Sequence, residues 1–167
     1  ASNYQLPTLN ATNAPVTITA KTLTVTANAD SKTYGATKTY GSGSTAFTSS
    51  GLVGSQTIGT VTITDTNSGG LATAAANGTY ALTPSVATGG TFTASNYNIT
   101  YTAGALTVNQ KTLTITADAR STTYGTALAL GTTGFTQVGL VNSDSITGVT
   151  LKQAGNTTVP ATQFAGT

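Results

Sequence analysis

Two nearly identical stretches of alternating apolar and hydroxyl residues constrain the fold of this chain more than any other feature of its sequence. Lys21-Thr-Leu-Thr-Val-Thr-Ala27 returns as Lys111-Thr-Leu-Thr-Ile-Thr-Ala117. An alternation with a period of two places the apolar residues on one face of a β-strand and the threonines on the other. Each stretch is therefore predicted to be a half-buried strand, with Leu113, Ile115 and Ala117 facing inward in the second copy. The chain is predicted to be built from repeats.

Further motifs recur in the same order in both copies. Ser31-Lys-Thr-Tyr-Gly35 corresponds to Ser121-Thr-Thr-Tyr-Gly125, 90 residues later, and Gly51-Leu-Val-Gly-Ser-Gln56 corresponds to Gly139-Leu-Val-Asn-Ser-Asp144, 88 residues later. A coil of a β-solenoid is much shorter, roughly 20 to 25 residues. A period of about 90 residues therefore favours one small β-domain for each repeat.

The motifs divide the chain into three predicted segments. Ala1-Ser-Asn-Tyr4 recurs as Ala94-Ser-Asn-Tyr97, so residues 1–20 are predicted to be the tail of a preceding repeat. Residues 21–110 are predicted to form a complete repeat, and residues 111–167 an incomplete second one. We expect the chain to be a section of a longer tandem array.

The predicted repeats follow one another with almost no linker. Leu106-Thr-Val108 has the alternation of a short strand and runs nearly directly into the second copy of the repeated strand. Val16-Thr-Ile-Thr19 is predicted to be the equivalent strand before the first copy. The inter-repeat joint is predicted to consist of Val108, Asn109, Gln110 and Lys111.

The pattern predicts an all-β fold, with tandem small β-domains of about 90 residues arranged end to end. Short alternating segments separated by turn residues are typical of β-sandwiches, although a β-grasp-like layer fits the same pattern. The predicted core of the first repeat contains Leu23, Val25, Leu52, Val53, Ile58, Val61, Ile63, Leu82, Ile99, Leu106 and Val108.

Composition argues against several classes of function. Charged residues make up 6% of the chain, and it contains no His, Cys or Glu. General acid–base catalysis and nucleophile activation need a positioned titratable partner, so we predict no enzyme activity and no catalytic, metal or cofactor residues. The net charge of +2 is spread over scattered bases, which is not a nucleic-acid-binding pattern. Direct membrane insertion is not predicted either, because no apolar run reaches the roughly 18 residues of a spanning helix.

The Tyr-Gly pairs are the candidate site residues, at Tyr34-Gly35 and Tyr124-Gly125. A glycine at such a position indicates a turn or a close approach of two backbone segments. The tyrosine rings allow two interpretations, because they could stack on sugar rings of a ligand or could close the end of a β-domain with the hydroxyl group hydrogen-bonded.

The order of these motifs resembles the MBG domain of the Tyr-Gly type. The first copy contains, in sequence, Thr-Leu-Thr-Val-Thr-Ala, Thr-Tyr-Gly, Gly-Leu-Val-x-Ser, Gly-Thr-Tyr-Ala-Leu and Ser-Asn-Tyr-Asn-Ile-Thr-Tyr. The resemblance covers residues 21–167. That family occurs as tandem repeats in very large bacterial surface and secreted adhesins, including filamentous-haemagglutinin-like proteins.

The resemblance implies an extracellular protein at the bacterial cell surface. The first functional hypothesis is a structural stalk of an adhesin or biofilm filament, whose partners are neighbouring repeats of the same chain. One alternative is a module in each repeat that binds host or matrix glycans, including mucin. Another is a self-assembling filament subunit, in which copies of the chain pair through exposed strands.

Overall fold

The computed structural model describes residues 16–153 and 158–161. These residues form an all-β fold, as predicted, and the only helix among them is a 3₁₀ helix at Ala94–Asn96. The strands are β1 (Lys21–Ala27), β2 (Asp30–Thr33), β3 (Phe47–Ser50), β4 (Ile58–Asp65), β5 (Tyr80–Gly90), β6 (Tyr97–Thr102), β7 (Gly104–Asn109), β8 (Thr114–Ala117), β9 (Leu128–Ala129), β10 (Phe135–Val138) and β11 (Thr158–Val159).

The chain divides into two compact units. Among the described residues, the first unit contains residues 16–30, 39–67 and 79–106, and the second contains residues 31–38, 68–78 and those from 107 onward. The second unit therefore combines two loops of the first predicted repeat with the second predicted repeat. The predicted boundaries after residues 20 and 110 stay predictions from the sequence, and residues 1–15 of the predicted tail lie outside the described residues.

In the first unit, β1 is the central strand of a three-stranded sheet with the order β3-β1-β6. It pairs antiparallel with β3 and parallel with β6, with Lys21 opposite Tyr97. A central strand has partners on both edges, so all its backbone groups can be satisfied within the sheet. The first copy of the repeated stretch is thus the strand that the alternation predicts.

A second sheet of the first unit contains β4, β5 and the beginning of β7. Antiparallel pairing places Ile63 opposite Pro84 between β4 and β5, and Leu82 opposite Gly104 between β5 and β7. The register of β4 shifts between Thr60 and Thr62, which marks a β-bulge.

The core of the first unit lies between these two sheets. Its buried residues come from strands of both sheets and are Leu23, Val25, Ala27, Val61, Ile63, Leu82, Tyr97 and Leu106. Burying an aliphatic side chain of this size contributes about 1.5 to 3 kcal/mol. The two sheets share one apolar core, so the first unit is a small β-domain with the two-layer arrangement of a sandwich.

Two predictions about the first unit are wrong. Val53, predicted to be core, is 54% exposed because it lies in the loop after β3, where its carbonyl oxygen accepts the Gln56 amide at 3.2 Å. Residues 16–19, predicted to be a strand, have no strand structure, and Val16 and Ile18 are 85% and 91% exposed. Alternation alone does not form a strand where no neighbouring strand supplies hydrogen bonds.

In the second unit, the later residues of β7 lie beside β2, β8 pairs with β10, and β9 pairs with β11. β8 begins at Thr114 instead of residue 111. Leu113 and Ile115 are 40% and 42% exposed, so the predicted burial of the second copy is wrong. Among the described residues β8 has one strand partner, whereas β1 lies between two strands and beneath a second sheet.

Candidate functional site: the Tyr-Gly joint

The first Tyr-Gly pair forms a tight turn at the end of β2, within the second unit. The amide of Ala36 donates to the carbonyl oxygen of Thr33 at 3.0 Å, which closes a four-residue turn. Gly35 has φ +87°, the left-handed value that a type II turn requires at its third position and that glycine adopts without strain. Gly35 therefore lies in a turn that closes β2.

Backbone hydrogen bonds attach this turn to the residues predicted to form the joint. The Tyr34 amide donates to the carbonyl oxygen of Asn109 at 2.9 Å. The Asn77 amide donates to the carbonyl oxygen of Val108 at 3.0 Å. The Gly35 amide donates to the carbonyl oxygen of Ala72 at 3.1 Å. The turn and the segment at residues 68–78 are thereby fixed to the end of β7.

Side chains from the second copy's Gly-Leu-Val loop complete the cluster. The Tyr34 hydroxyl group donates to Oδ2 of Asp144 at 2.9 Å, and Nδ2 of Asn142 donates to the Ala72 carbonyl oxygen at 2.8 Å. A hydrogen bond to a carboxylate is among the stronger ones, although this one is exposed to solvent. We call the cluster the Tyr-Gly joint and define it by Tyr34, Gly35, Ala72, Val108, Asn109, Val141, Asn142 and Asp144.

Val141 packs directly on the face of Gly35. A Cβ atom on this glycine would lie 2.7 Å from Cγ2 of Val141, closer than real carbon atoms approach one another. The valine is presented by a turn in which Asn142 and Ser143 have φ +54° and +63°, and the Asp144 amide donates to the Val141 carbonyl oxygen at 2.9 Å. Left-handed residues other than glycine are uncommon and concentrate at functional positions.

A buried lysine supports the turn from beneath. Lys32 is 6% exposed, and its ammonium group donates to the carbonyl oxygen of Ala36 at 2.9 Å and to that of Leu71. Carbonyl dipoles thus replace the water that a buried ammonium group loses. Lys32 connects the Tyr-Gly turn to the segment at residues 68–78, so this cation has a structural role.

The second Tyr-Gly pair forms the same turn, but none of the described residues packs on its glycine as Val141 packs on Gly35. Gly125 has φ +90° and donates its amide to the Ala161 carbonyl oxygen at 3.1 Å, as Gly35 does to Ala72. The hydroxyl group of Thr122 donates to the Thr126 carbonyl oxygen at 3.1 Å, in the place of the Lys32 contact. Tyr124, however, is 66% exposed, and no heavy atom of the residues that the structure describes lies within 4 Å of the Cβ position of Gly125.

The structure brings four of the eight candidate residues together, namely Tyr34, Gly35, Val108 and Asn109. Gln110 and Lys111 are exposed, and Tyr124 and Gly125 form their own turn. The sequence reasoning missed Ala72, Val141, Asn142 and Asp144. The recurrence of Gly-Leu-Val-x-Ser was visible, but a recurring motif does not reveal that the loop of one copy packs on the turn of the other.

The chemistry of the joint is packing and hydrogen bonding. Within residues 16–153 and 158–161, no three His, Cys, Asp or Glu side chains are grouped as a metal site would need. No helix in the same part of the chain is long and apolar enough to cross a membrane.

Comparison with known proteins identifies the family. A family model described as MBG domain (YGX type) matches residues 23–107, a stretch that begins in β1, includes the Tyr34-Gly35 turn and ends in β7. No curated protein and no solved structure gives a significant match to the chain.

Proposed function

Since the chain belongs to the MBG domain family of the YGX type, we propose that it is a structural repeat segment of a bacterial extracellular adhesin or biofilm filament. In this role it holds a binding domain away from the cell surface and catalyses no reaction. Family membership is consistent with a repeat domain of bacterial surface proteins.

The observation that carries this proposal is the Tyr-Gly joint. Val141 and Asp144 of the second predicted repeat contact Gly35 and Tyr34 of the first. Domains joined by a plain linker move independently unless an interface restrains them. A spacer needs this restraint, because a segment that folds back at each junction would not hold a distal domain at a distance.

The surface composition fits the same role. Threonine makes up about a quarter of the chain, and charged residues make up only 6%. Hydroxyl groups keep the exposed strand faces hydrated without a large net charge, so a long array of such repeats would show little self-repulsion. Low charge also limits the electrostatic attraction of unrelated polyanions.

An insertion experiment tests the proposal. A four-residue Gly-Ser linker between Gln110 and Lys111 separates β7 from the second copy, and we expect small-angle scattering to show a wider distribution of dimensions than for the unmodified chain. The control is the same insertion between Ser42 and Gly43, in an exposed loop where no atom of the described part of the chain lies within 4 Å of the Cβ position of Gly43. An unchanged distribution after the first insertion would rule out a restraining joint.

Glycan binding is the second candidate function, and the exposure of Tyr124 is the observation that favours it. Tyr124 is 66% exposed, so its ring face is open to a sugar, whereas the hydroxyl group of Tyr34 is bonded to Asp144. The full chain and its Tyr124→Ala variant should be compared on a glycan array, with matching thermal melts as the check on folding. Binding that is lost in the variant would support this function, and no binding by either protein would exclude it.

A further inference from the structure

Two strands of the first unit that are far apart in the chain lie side by side and run in the same direction. β1 and β6 are neighbours in one sheet, although β2 to β5 lie between them in sequence. They pair in parallel from Lys21 opposite Tyr97 to Thr26 opposite Thr102, which is the full length of β6. The pairs β1–β3, β4–β5 and β5–β7 are antiparallel.

The chain reaches the two sheets of the first unit through β1 and finally leaves them through β6 and β7. Ala20 directly precedes β1, and a single residue, Ala103, separates β6 from β7. The chain then passes into the second unit at residue 107. Tension along the backbone therefore pulls the start of β1 in one direction and the end of β6 in the other. In a parallel pair these two points lie at opposite ends of the ladder, so the pull acts along the strands.

A pull along the strands loads all the hydrogen bonds between them at the same time. The bonds of a parallel ladder are evenly spaced, and they share the load until the two strands slide past each other. When the neighbouring ends of two strands are pulled apart instead, the bonds open one after another. Resistance to force is governed by the unfolding rate, so the direction of the pull relative to the ladder decides how long the unit stays folded.

Sliding of β1 would also disrupt the core. Leu23 and Val25 are fully buried between the two sheets, and their partners Ile99 and Tyr101 on β6 pack against the same cluster. On its other edge β1 pairs with β3. Movement of β1 along its axis therefore breaks two ladders and pulls two close-packed side chains out of the interior together.

The end of β6 is attached to both sheets. The hydroxyl group of Tyr101 accepts the amide of Ala87, a residue of β5 in the opposite sheet, at 2.9 Å. Just beyond β6, a Cβ atom on Gly104 would lie 2.5 Å from the carbonyl oxygen of Ala27, the last residue of β1. Force that reaches the end of β6 is thus passed to β1 and β5 directly.

We propose that β1 and β6 form a mechanical clamp, a pair of strands that must be sheared before the first unit can be extended. The source of the load rests on the proposed function, because a spacer transmits any pull on the domain that it holds. The contacts that resist the load all lie within the first unit. The clamp keeps that unit folded while the chain is under tension.

Force spectroscopy with two attachment geometries tests the clamp. The chain contains no cysteine, so two introduced cysteines determine where the handles attach. Ala20→Cys with Ala103→Cys pulls β1 and β6 in shear. Ala20→Cys with Asn96→Cys pulls apart the neighbouring ends of the same two strands. All three positions are exposed. At one loading rate, we expect the unfolding force of the first variant to be several-fold higher than that of the second.

Urea unfolding without load is the control. The two double-cysteine variants should be equally stable in urea, so that a difference under force reports the direction of pulling alone. Thr102→Cys, also at an exposed position, replaces Ala103→Cys if that substitution lowers the melting temperature. The length of chain released identifies the unfolding event, because an extended chain spans about 3.3 to 3.6 Å per residue.

Equal unfolding forces in the two geometries, or a lower force in shear, would overturn the proposal. The insertion after Gln110 leaves β1 and β6 unchanged, so the clamp and the Tyr-Gly joint are tested separately. A chain with a high shear force and a mobile joint would contradict the proposed spacer and keep the clamp. A chain with a restrained joint and equal forces would contradict the clamp alone.

Discussion

Gly35 and Val141 are so close that the glycine has no room for a Cβ atom, which would lie 2.7 Å from Cγ2 of the valine. Gly125 holds nearly the same backbone conformation, with φ +90° against +87°, but no atom within residues 16–153 and 158–161 lies within 4 Å of its Cβ position. Position 35 therefore requires glycine for two reasons, the left-handed backbone and the lack of room for a Cβ atom. Position 125 requires glycine for the left-handed backbone alone.

Gly35→Ala is expected to destabilise the chain more than Gly125→Ala. Both variants bear the left-handed strain of about 1 to 2 kcal/mol, and only Gly35→Ala adds an overpacking cost of about 1 to 3 kcal/mol. Urea unfolding at micromolar concentration measures the difference. Val141→Ala in the Gly35→Ala background removes the clashing methyl groups and should recover part of the loss. Equal losses in the two glycine variants would show that Val141 is not packed on Gly35 in solution.

The Tyr34–Asp144 hydrogen bond is expected to contribute modestly to stability. Tyr34→Phe and Asp144→Ala should each cost about 0.5 to 1.5 kcal/mol, and the double variant should cost less than the sum, because the two groups interact. A double-mutant cycle by urea unfolding measures that coupling energy. Tyr124→Phe is the control, since Tyr124 is 66% exposed, and its stability should match the unmodified chain. Strict additivity would contradict the contact.

Lys32 variants should rank by the carbonyl contacts they retain. Thr122 shows that a hydroxyl group at this position can bond the carbonyl oxygen four residues later. Lys32→Thr can therefore keep the hydrogen bond to Ala36 while it loses the one to Leu71. Lys32→Val loses both, because valine has nearly the shape of threonine but no hydroxyl group. A hydrogen bond from a charged donor contributes about 1.5 to 3 kcal/mol to stability, and each variant loses one or both of these bonds. Melting temperatures should fall in the order unmodified, Lys32→Thr, Lys32→Val, and equal values for the two variants would contradict this role.

Tyr40 should make the first unit sensitive to alkaline pH. Burial, together with the hydrogen bond to Asp30 at 3.0 Å and the charges of Asp30 and Asp65, raises the pKa of Tyr40 above its ordinary value of 10.0. The folded protein then retains the proton to higher pH than the unfolded chain, so this stabilisation is complete below pH 10.0 and is lost as pH rises toward the raised pKa.

Tyr40→Phe tests this pH dependence. The variant should be less stable at neutral pH, through loss of the hydrogen bond, and its stability should fall less steeply between about pH 10 and 12. Urea unfolding of both proteins across that range measures the two slopes. Parallel slopes would show that Tyr40 does not titrate differently in the folded and unfolded states.

The sequence predicted what depends on local pattern. Period-two alternation correctly placed β1, and the recurring glycines Gly35 and Gly125 both have a left-handed φ. It failed where the outcome depends on neighbours: Ile115 repeats the pattern of Val25 but is 42% exposed, because a strand is buried only when other strands cover it. The contact between Val141 and Gly35 could not be predicted from the sequence for the same reason. The two residues are over 100 positions apart, and no local pattern at either one indicates its partner.

The segment that recurs in the sequence and the segment that folds as one unit have different boundaries in this chain. The recurring segment is about 90 residues long and is expected to start at Lys21, yet residues 31–38 and 68–78 belong to the compact unit that contains the following copy. Duplicating a gene segment of this kind copies parts of two compact units at once. A fragment cut after Gln110 would keep the first unit. Its loops at residues 31–38 and 68–78 would lose the later residues of the second unit that they contact. If the predicted tandem array exists, removing or adding whole periods would keep every unit complete, whichever residue the cut begins from.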